Sequence, residues 1–234
     1  MAYTTSDLVS AVLAIGALGT AAFGLVDASK AFWGGVSNAG FGFISSFLDE
    51  VVPKNGKPPA EVALTLEAMR DTLRASWLNG APLADQKSAA KSLVKLQLNA
   101  ETAADLAKTM GVDATVMVAV ATRLQTAHPL EPEQQNVYGR FDLVLATRID
   151  RAYQCADQRY RNTSKVAACA VAVILAEVAA WSLQAPPPAP QGGALYLRAL
   201  IAGLLATPLA PVAKDLASAI STAAKAVQAI KGRA

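Results

Sequence analysis

Three long stretches of the chain are almost entirely apolar, and amphipathic or polar sequence separates them. Residues 8–26 carry no charged side chain, whereas residues 166–183 and 194–211 carry one ionisable residue each. About 20 apolar residues in a helix are enough to cross the hydrocarbon core of a bilayer. The pattern therefore predicts three transmembrane helices. The Pro/Gly-rich residues 185–193 would join the last two into a transmembrane hairpin.

Between the first two of these stretches, apolar residues recur at helical spacing, every three or four residues from Val62 to Trp77. This is the rhythm of an amphipathic helix. Turn and capping residues then indicate three further short helices before residue 128. The second of the four helices has a lysine at every fourth position, and we expect these side chains on a solvated face: Lys87, Lys91 and Lys95.

A long helix is predicted next, because residues 133–185 contain one glycine and no proline. It would run from the amphipathic region straight into the second apolar stretch. The predicted fold class is an all-α integral membrane protein with about three transmembrane helices, a cytosolic helical domain between the first and second spans, and an amphipathic C-terminal helix. The predicted divisions are a first span at 1–29, a Gly/aromatic segment at 30–52, the cytosolic domain at 53–164, the hairpin at 165–213 and the tail at 214–234.

The Gly/aromatic segment is the least ordinary part of the chain, since phenylalanines and a tryptophan alternate with glycine, serine and asparagine between residues 31 and 48. Glycine weakens a regular helix by about 1 kcal/mol relative to alanine. An interfacial or oligomer-contact element is the favoured interpretation. A re-entrant or pore-lining segment and an additional span both stay open.

Small residues predict where helices approach one another closely. In the first apolar stretch they recur every four residues at Gly16, Thr20 and Gly24. Helix-packing or oligomer contacts are therefore expected at these three residues and at the glycines of the following segment: Gly34, Gly35, Gly40 and Gly42.

Composition supports a membrane protein and argues against other classes. The chain is 53% hydrophobic and 17% charged, against roughly 45–50% and 25% in soluble proteins. Two cysteines and one histidine are too few for a specific zinc site or catalytic pair. Because no nucleotide-binding loop, catalytic triad or haem motif is recognisable, we expect neither an enzyme nor a cofactor.

Nucleic acid is not an expected partner. The net charge is only +3. The third and fourth short helices have the spacing of a helix-turn-helix, but residues 114–122 offer almost nothing that could hydrogen-bond base edges. A buried helical pair is the better interpretation of these two helices.

Basic residues predict the orientation, because they flank the cytoplasmic ends of spans. Three of them precede the second apolar stretch, and the turn at 185–193 carries no charge. We therefore expect a cell membrane, in a bacterium the inner membrane, with the N-terminus outside and the helical domain and C-terminus cytoplasmic. The residues expected at the lipid interface are Trp33, Arg159, Arg161, Lys165, Trp181 and Tyr196.

Glu177 and Arg198 are the two ionisable residues within the hairpin. In an antiparallel hairpin they reach a similar depth, so we predict an intramembrane ion pair. It could hold the helices together, or it could belong to a conduction or proton-relay path.

The expected function is that of a non-enzymatic membrane protein with the lipid bilayer as partner. An oligomeric scaffold or accessory subunit, presenting a cytosolic helical domain, is the first hypothesis; the chain would be a homo-oligomer or a subunit of a membrane complex. The alternative is a small oligomeric channel or transport component with Glu177 and Arg198 near the pathway.

Overall fold

The chain is all-helical, as its sequence pattern predicts. The computed structural model describes residues 5–32, 34–52, 65–183 and 192–231. It is 88% helix, and the described residues form no strand. The helices are α1 (Thr5–Ala28), α2 (Asn38–Val51), α3 (Leu66–Leu78), α4 (Leu83–Leu96), α5 (Ala103–Met110), α6 (Ala114–Gln125), α7 (Pro132–Ser182) and α8 (Gly192–Lys231), with short 3-10 turns at Ser29–Ala31 and Gly35–Ser37.

Capping residues set several helix ends where the sequence indicates them. The Asp113 side chain accepts a hydrogen bond from the Val116 amide at the start of α6. Gly111 ends α5 in the left-handed region at φ 67°, which glycine adopts without strain. The long helix is confirmed: α7 runs for 51 residues without interruption. α8 likewise continues through Pro208 and Pro211.

The chain divides into two compact units. Unit 1 comprises Met1–Val36 and Arg161–Ala234, and unit 2 comprises Ser37–Tyr160. Unit 2 therefore has different limits from the cytosolic domain predicted at 53–164. The difference at the first division arises because the apolar face of α2 lies in the core of unit 2, where Phe41, Ile44 and Leu48 are buried.

Unit 2 has one core, to which α2 to α7 all contribute. Trp77 lies in it, and its indole Nε1 donates a hydrogen bond to the Ser37 carbonyl at 2.9 Å. Its ring makes edge-to-face contacts with Tyr153 and Tyr160. Leu106 of α5 and Met117 of α6 are both fully buried, so α5 and α6 pack as a buried helical pair.

The lysines of α4 stay about a third exposed, and each also pairs with a carboxylate of α7. Lys91 Nζ lies 2.6 Å from an Asp142 carboxylate oxygen, and Lys95 pairs with the same carboxylate. Lys87 pairs with Asp150 at 2.9 Å. Their spacing of four residues aligns them on the face that meets α7, so α4 and α7 are joined by ion pairs as well as by apolar packing.

Candidate functional site

Three of the described helices are long and apolar enough to cross a membrane. They comprise Ser6–Ala31, Pro132–Ser182 and Gly193–Ala223. In their most apolar windows only 22%, 22% and 17% of the residues are buried. Most of this apolar surface is therefore uncovered, and it is the candidate functional surface of the molecule.

Large apolar side chains are exposed along all three helices of unit 1. Trp181, for example, is 70% exposed. Monomeric soluble proteins rarely expose apolar patches larger than a few hundred Å². The exposed large apolar residues of these helices are Leu8, Leu25, Val166, Ile174, Val178, Trp181, Leu197, Leu200, Ile201, Leu204, Leu205, Val212 and Ile220.

α1 and α8 meet along a seam of small residues. A methyl group added at Gly16 would overlap the Cβ of Ala213, and one added at Gly19 would overlap the backbone of Ala206. Both glycines are buried. Their missing side chains allow the two backbones to touch, which increases the dispersion contact between the helices.

The seam also fixes the relative direction of the two helices. Gly16 lies against residues 209 and 213, whereas Gly19 lies against residues 206 and 210. Advancing along α1 therefore moves the contact backwards along α8, so the helices are antiparallel.

A chain that crosses a bilayer three times in succession has its first and third spans parallel, so the antiparallel seam does not match the predicted succession of crossings. Basic residues indicate the side on which a helix ends, and they carry no information about which helices pack together. The sides of the membrane stay a prediction.

The predicted stripe of small residues is only partly in contact. The Thr20 side chain is exposed and its hydroxyl donates to the Gly16 carbonyl at 3.0 Å. Gly24 has no neighbour within 4 Å of an added Cβ. The contact of Gly19 with α8 was not predicted from the sequence. The spacing of three residues from Gly16 to Gly19 and on to Ala22, which is buried, could have indicated it.

The C-terminal part of α7, residues 161–182, is here named the α7 arm. It packs against α8 at Gly203, where an added Cβ would lie 2.6 Å from the Cα of Val173. Buried alanines surround this contact: Ala168 and Ala172 of the arm cluster with Ala22 of α1 and Ala206 of α8.

The predicted charged pair is not brought together. Among the residues that the structure describes, neither Glu177 nor Arg198 takes part in an ion pair or side-chain hydrogen bond. The reason is geometric: Arg198 precedes Gly203 by five residues, so it lies about 140° around α8 from the contact with the arm. Arg198 is exposed and Glu177 is half-buried.

The glycines of the Gly/aromatic segment serve different purposes. Gly34 and Gly35 have positive φ values of 85° and 47°, so they form a turn that other residues rarely adopt. An added Cβ at Gly40 would lie 2.5 Å from the Ala156 carbonyl oxygen and 2.7 Å from the Trp77 ring, whereas Gly42 has no neighbour within 4 Å. Gly40 is thus a close helix contact within unit 2.

The residues predicted for the lipid interface are mostly accessible. Arg159, Arg161, Lys165 and Trp181 are exposed, and Tyr196 is half-buried. Trp33, which was predicted with them, lies outside the described residues.

In the part of the chain that the structure describes, no group of three His, Cys, Asp or Glu side chains could hold a metal ion. The groups with a resolved pKa shift lie in unit 2: burial raises the pKa of Tyr153 to about 12. Burial would also raise the pKa of Asp142, but hydrogen bonds from Lys91 and Lys95 outweigh it and the pKa is lowered.

No protein-family model matches the chain, and neither do any of the curated proteins or solved structures with which it was compared. Function is therefore inferred from this chain's own residues.

Proposed function

We propose that the protein is a non-enzymatic integral membrane protein, in which unit 1 lies in a bilayer and unit 2 is a helical module that binds a partner in water. It would act as an oligomeric scaffold or as an accessory subunit of a membrane complex. The observation that carries the proposal is the uncovered apolar surface of α1, the α7 arm and α8. The free energy of such an exposed apolar surface is lower in contact with lipid than in contact with water.

The contrast between the two units supports this division of roles. In unit 2 the apolar residues are gathered into one core with Trp77 and Tyr153 inside, and its charged residues pair at the surface, as Arg148 does with Glu50. This is the organisation of a water-soluble domain. In unit 1 the buried cluster consists mainly of alanines, while the large side chains point outwards.

The proposal keeps only one part of the predicted orientation, the side of the membrane on which unit 2 lies. The basic residues at the start of the α7 arm favour a cytoplasmic unit 2, and in a bacterium the membrane would be the inner one. The three alternating crossings are not retained, because α1 and α8 are antiparallel along their seam.

A channel is the second candidate, and Glu177 is the residue that favours it. It is a half-buried carboxylate in an apolar unit, without an ion-pair partner among the described residues. Unpaired ionisable groups at membrane depth are often part of an ion or proton path. A path would need several copies of the chain around it, and Arg198, on another side of α8, would not balance the charge.

Mass and flux measurements distinguish these proposals. The purified full chain is weighed in detergent by light scattering and then assayed for ion and proton flux in liposomes, together with Glu177→Gln. A scaffold predicts an oligomer without flux, whose mass Glu177→Gln leaves unchanged. Flux that Glu177→Gln abolishes while Arg198→Gln preserves it would support the channel and overturn the scaffold.

A further inference from the structure

Three cationic residues surround α7 where its polar part gives way to the apolar arm. Arg159, Arg161 and Lys165 are exposed. The following residues, 166–182, contain no cation and a single acid, Glu177. The change from basic to apolar therefore occurs within about one helical turn.

The spacing of these residues, here named the basic collar, suits the headgroup layer of a membrane. Six residues separate Arg159 from Lys165, which is a rise of about 9 Å at 1.5 Å per residue. The headgroup region on one side of a bilayer is roughly 5–8 Å thick, and the long, flexible side chains of arginine and lysine can bring charges from a slightly longer stretch into it. Arg161 and Lys165 share one helix face, being four residues apart, while Arg159 lies on another, so the collar presents charge around the helix.

Two cations of the collar are available to an external anion. Among the described residues, neither Arg159 nor Lys165 forms an ion pair or a side-chain hydrogen bond. Elsewhere on α7, Arg148 is occupied by Glu50 at 2.7 Å. Arg159 and Lys165 thus combine unpaired positive charge with direct continuity to an apolar surface, and an anionic phospholipid matches both properties.

We propose that the basic collar binds the headgroups of anionic phospholipids, with the acyl chains lying along the α7 arm. The proposal rests on the membrane location of unit 1 described above, and it specifies the lipid class that the site selects. The long stems of arginine and lysine would lie over the first apolar residues while the charged groups contact phosphate.

A lipid titration tests the site. The full chain is purified in a neutral detergent, and phosphatidylglycerol or phosphatidylcholine is added while bound lipid is counted by native mass spectrometry. Arg159→Gln/Lys165→Gln should weaken phosphatidylglycerol binding about 30-fold, the equivalent of about 1 kcal/mol for each basic residue near a lipid surface. Phosphatidylcholine binding should not change.

The matched control is Arg140→Gln/Arg151→Gln, which removes the same charge from exposed residues of α7 in unit 2. This variant should keep phosphatidylglycerol affinity within threefold. An equal loss of phosphatidylglycerol affinity in the two variants would show that only net charge matters, and it would overturn the proposed site. Unchanged affinity in the collar variant would overturn it as well. If the collar variant misfolds, Lys165→Gln alone should still give an intermediate loss.

Two further measurements distinguish a lipid site from a soluble-phosphate site, and the collar from membrane insertion itself. Glycerol phosphate at millimolar concentration should not displace the lipid; complete displacement would assign the collar to a soluble phosphate and overturn the lipid proposal. The membrane location is tested apart from the collar, by reconstitution in pure phosphatidylcholine. A chain that enters neutral bilayers but shows no lipid preference contradicts the collar alone, whereas a chain that enters no bilayer contradicts the proposed function.

Discussion

Gly19 of α1 lies so close to the backbone of Ala206 in α8 that a single methyl group at Gly19 would overlap the Ala206 carbonyl. The overlap is with backbone, which has little freedom to move away. This contact, with the one between Gly16 and Ala213, determines how closely and in which direction the two helices pack.

Gly19→Ala should therefore destabilise unit 1 despite the better helix propensity of alanine. We expect a loss of about 1–3 kcal/mol, typical of overpacking, measured as a lower thermal unfolding midpoint of the detergent-solubilised chain. Gly24→Ala is the control, because nothing lies within 4 Å of the added Cβ. This substitution should raise the stability of unit 1 by up to ~1 kcal/mol. Equal effects of the two substitutions would contradict the seam.

The direction of the seam predicts which cysteines can be cross-linked. In a background without Cys155 and Cys169, Val9→Cys should form a cross-link with Ile220→Cys, because advancing along α1 corresponds to moving back along α8. Val9→Cys with Ala202→Cys is the matched pair for a parallel arrangement. A cross-link in the second pair and none in the first would restore the three-crossing topology.

The place of α2 in the core of unit 2 leads to a second pair of glycine substitutions. Gly40→Ala should lower the free energy of unfolding of unit 2 by about 1–3 kcal/mol, because its methyl group would meet the Ala156 carbonyl and the Trp77 ring. Gly42→Ala should be neutral or stabilising by up to ~1 kcal/mol. Trp77 fluorescence during denaturant unfolding, in a background with Trp33→Phe and Trp181→Phe, measures both effects. A neutral Gly40→Ala would favour an interfacial α2 instead.

The ion pairs between α4 and α7 predict a pH dependence of unit 2. The pKa of Asp142 is lowered in the fold, so its contribution is present above its ordinary value of 3.8 and is lost as the pH falls through the lowered pKa. For Lys95, burial would lower the pKa, but the hydrogen bond with Asp142 outweighs it and the pKa is raised. Its contribution is present below 10.5 and is lost as the pH rises through the raised pKa.

Asp142→Asn should therefore cost about 1 kcal/mol at neutral pH, since these side chains are about a third exposed and solvent screens the pair. The cost should shrink at acidic pH, where the wild-type carboxylate is protonated. Asp71→Asn, at an exposed carboxylate of α3, should have little effect at either pH. An Asp142→Asn variant whose cost is the same at both pH values would exclude the ion pairs as its cause.

The helices of this protein follow from local sequence, which explains why their existence was predictable. The absence of proline from residues 133–185 was enough to predict α7, and the capping residue Asp113 was enough to predict the start of α6. The burial of α2 was also present in the pattern, since Phe41, Ile44 and Leu48 follow a spacing of three and four residues. The high glycine and aromatic content of the segment drew the interpretation towards a membrane interface instead.

The contacts between α1 and α8 were less predictable, because they join residues almost 200 positions apart in the sequence. Gly16, Gly19 and Gly24 look alike in the sequence, yet only the first two meet α8. The predicted pairing of Glu177 with Arg198 depended on matching depth alone. The contact of Gly203 with Val173 sets the rotation of α8 about its own axis. This rotation places Arg198 on a face away from the contact with the α7 arm.

Extraction and flotation of the full chain test the central claim, the location of unit 1 in a bilayer, most directly. Membranes containing the expressed chain are washed with alkaline carbonate and with urea, and are then floated through a density gradient. The uncovered apolar helices predict that the chain floats with the lipid and leaves it only in detergent. A chain that is released by these washes and stays monodisperse in water without detergent would contradict the account.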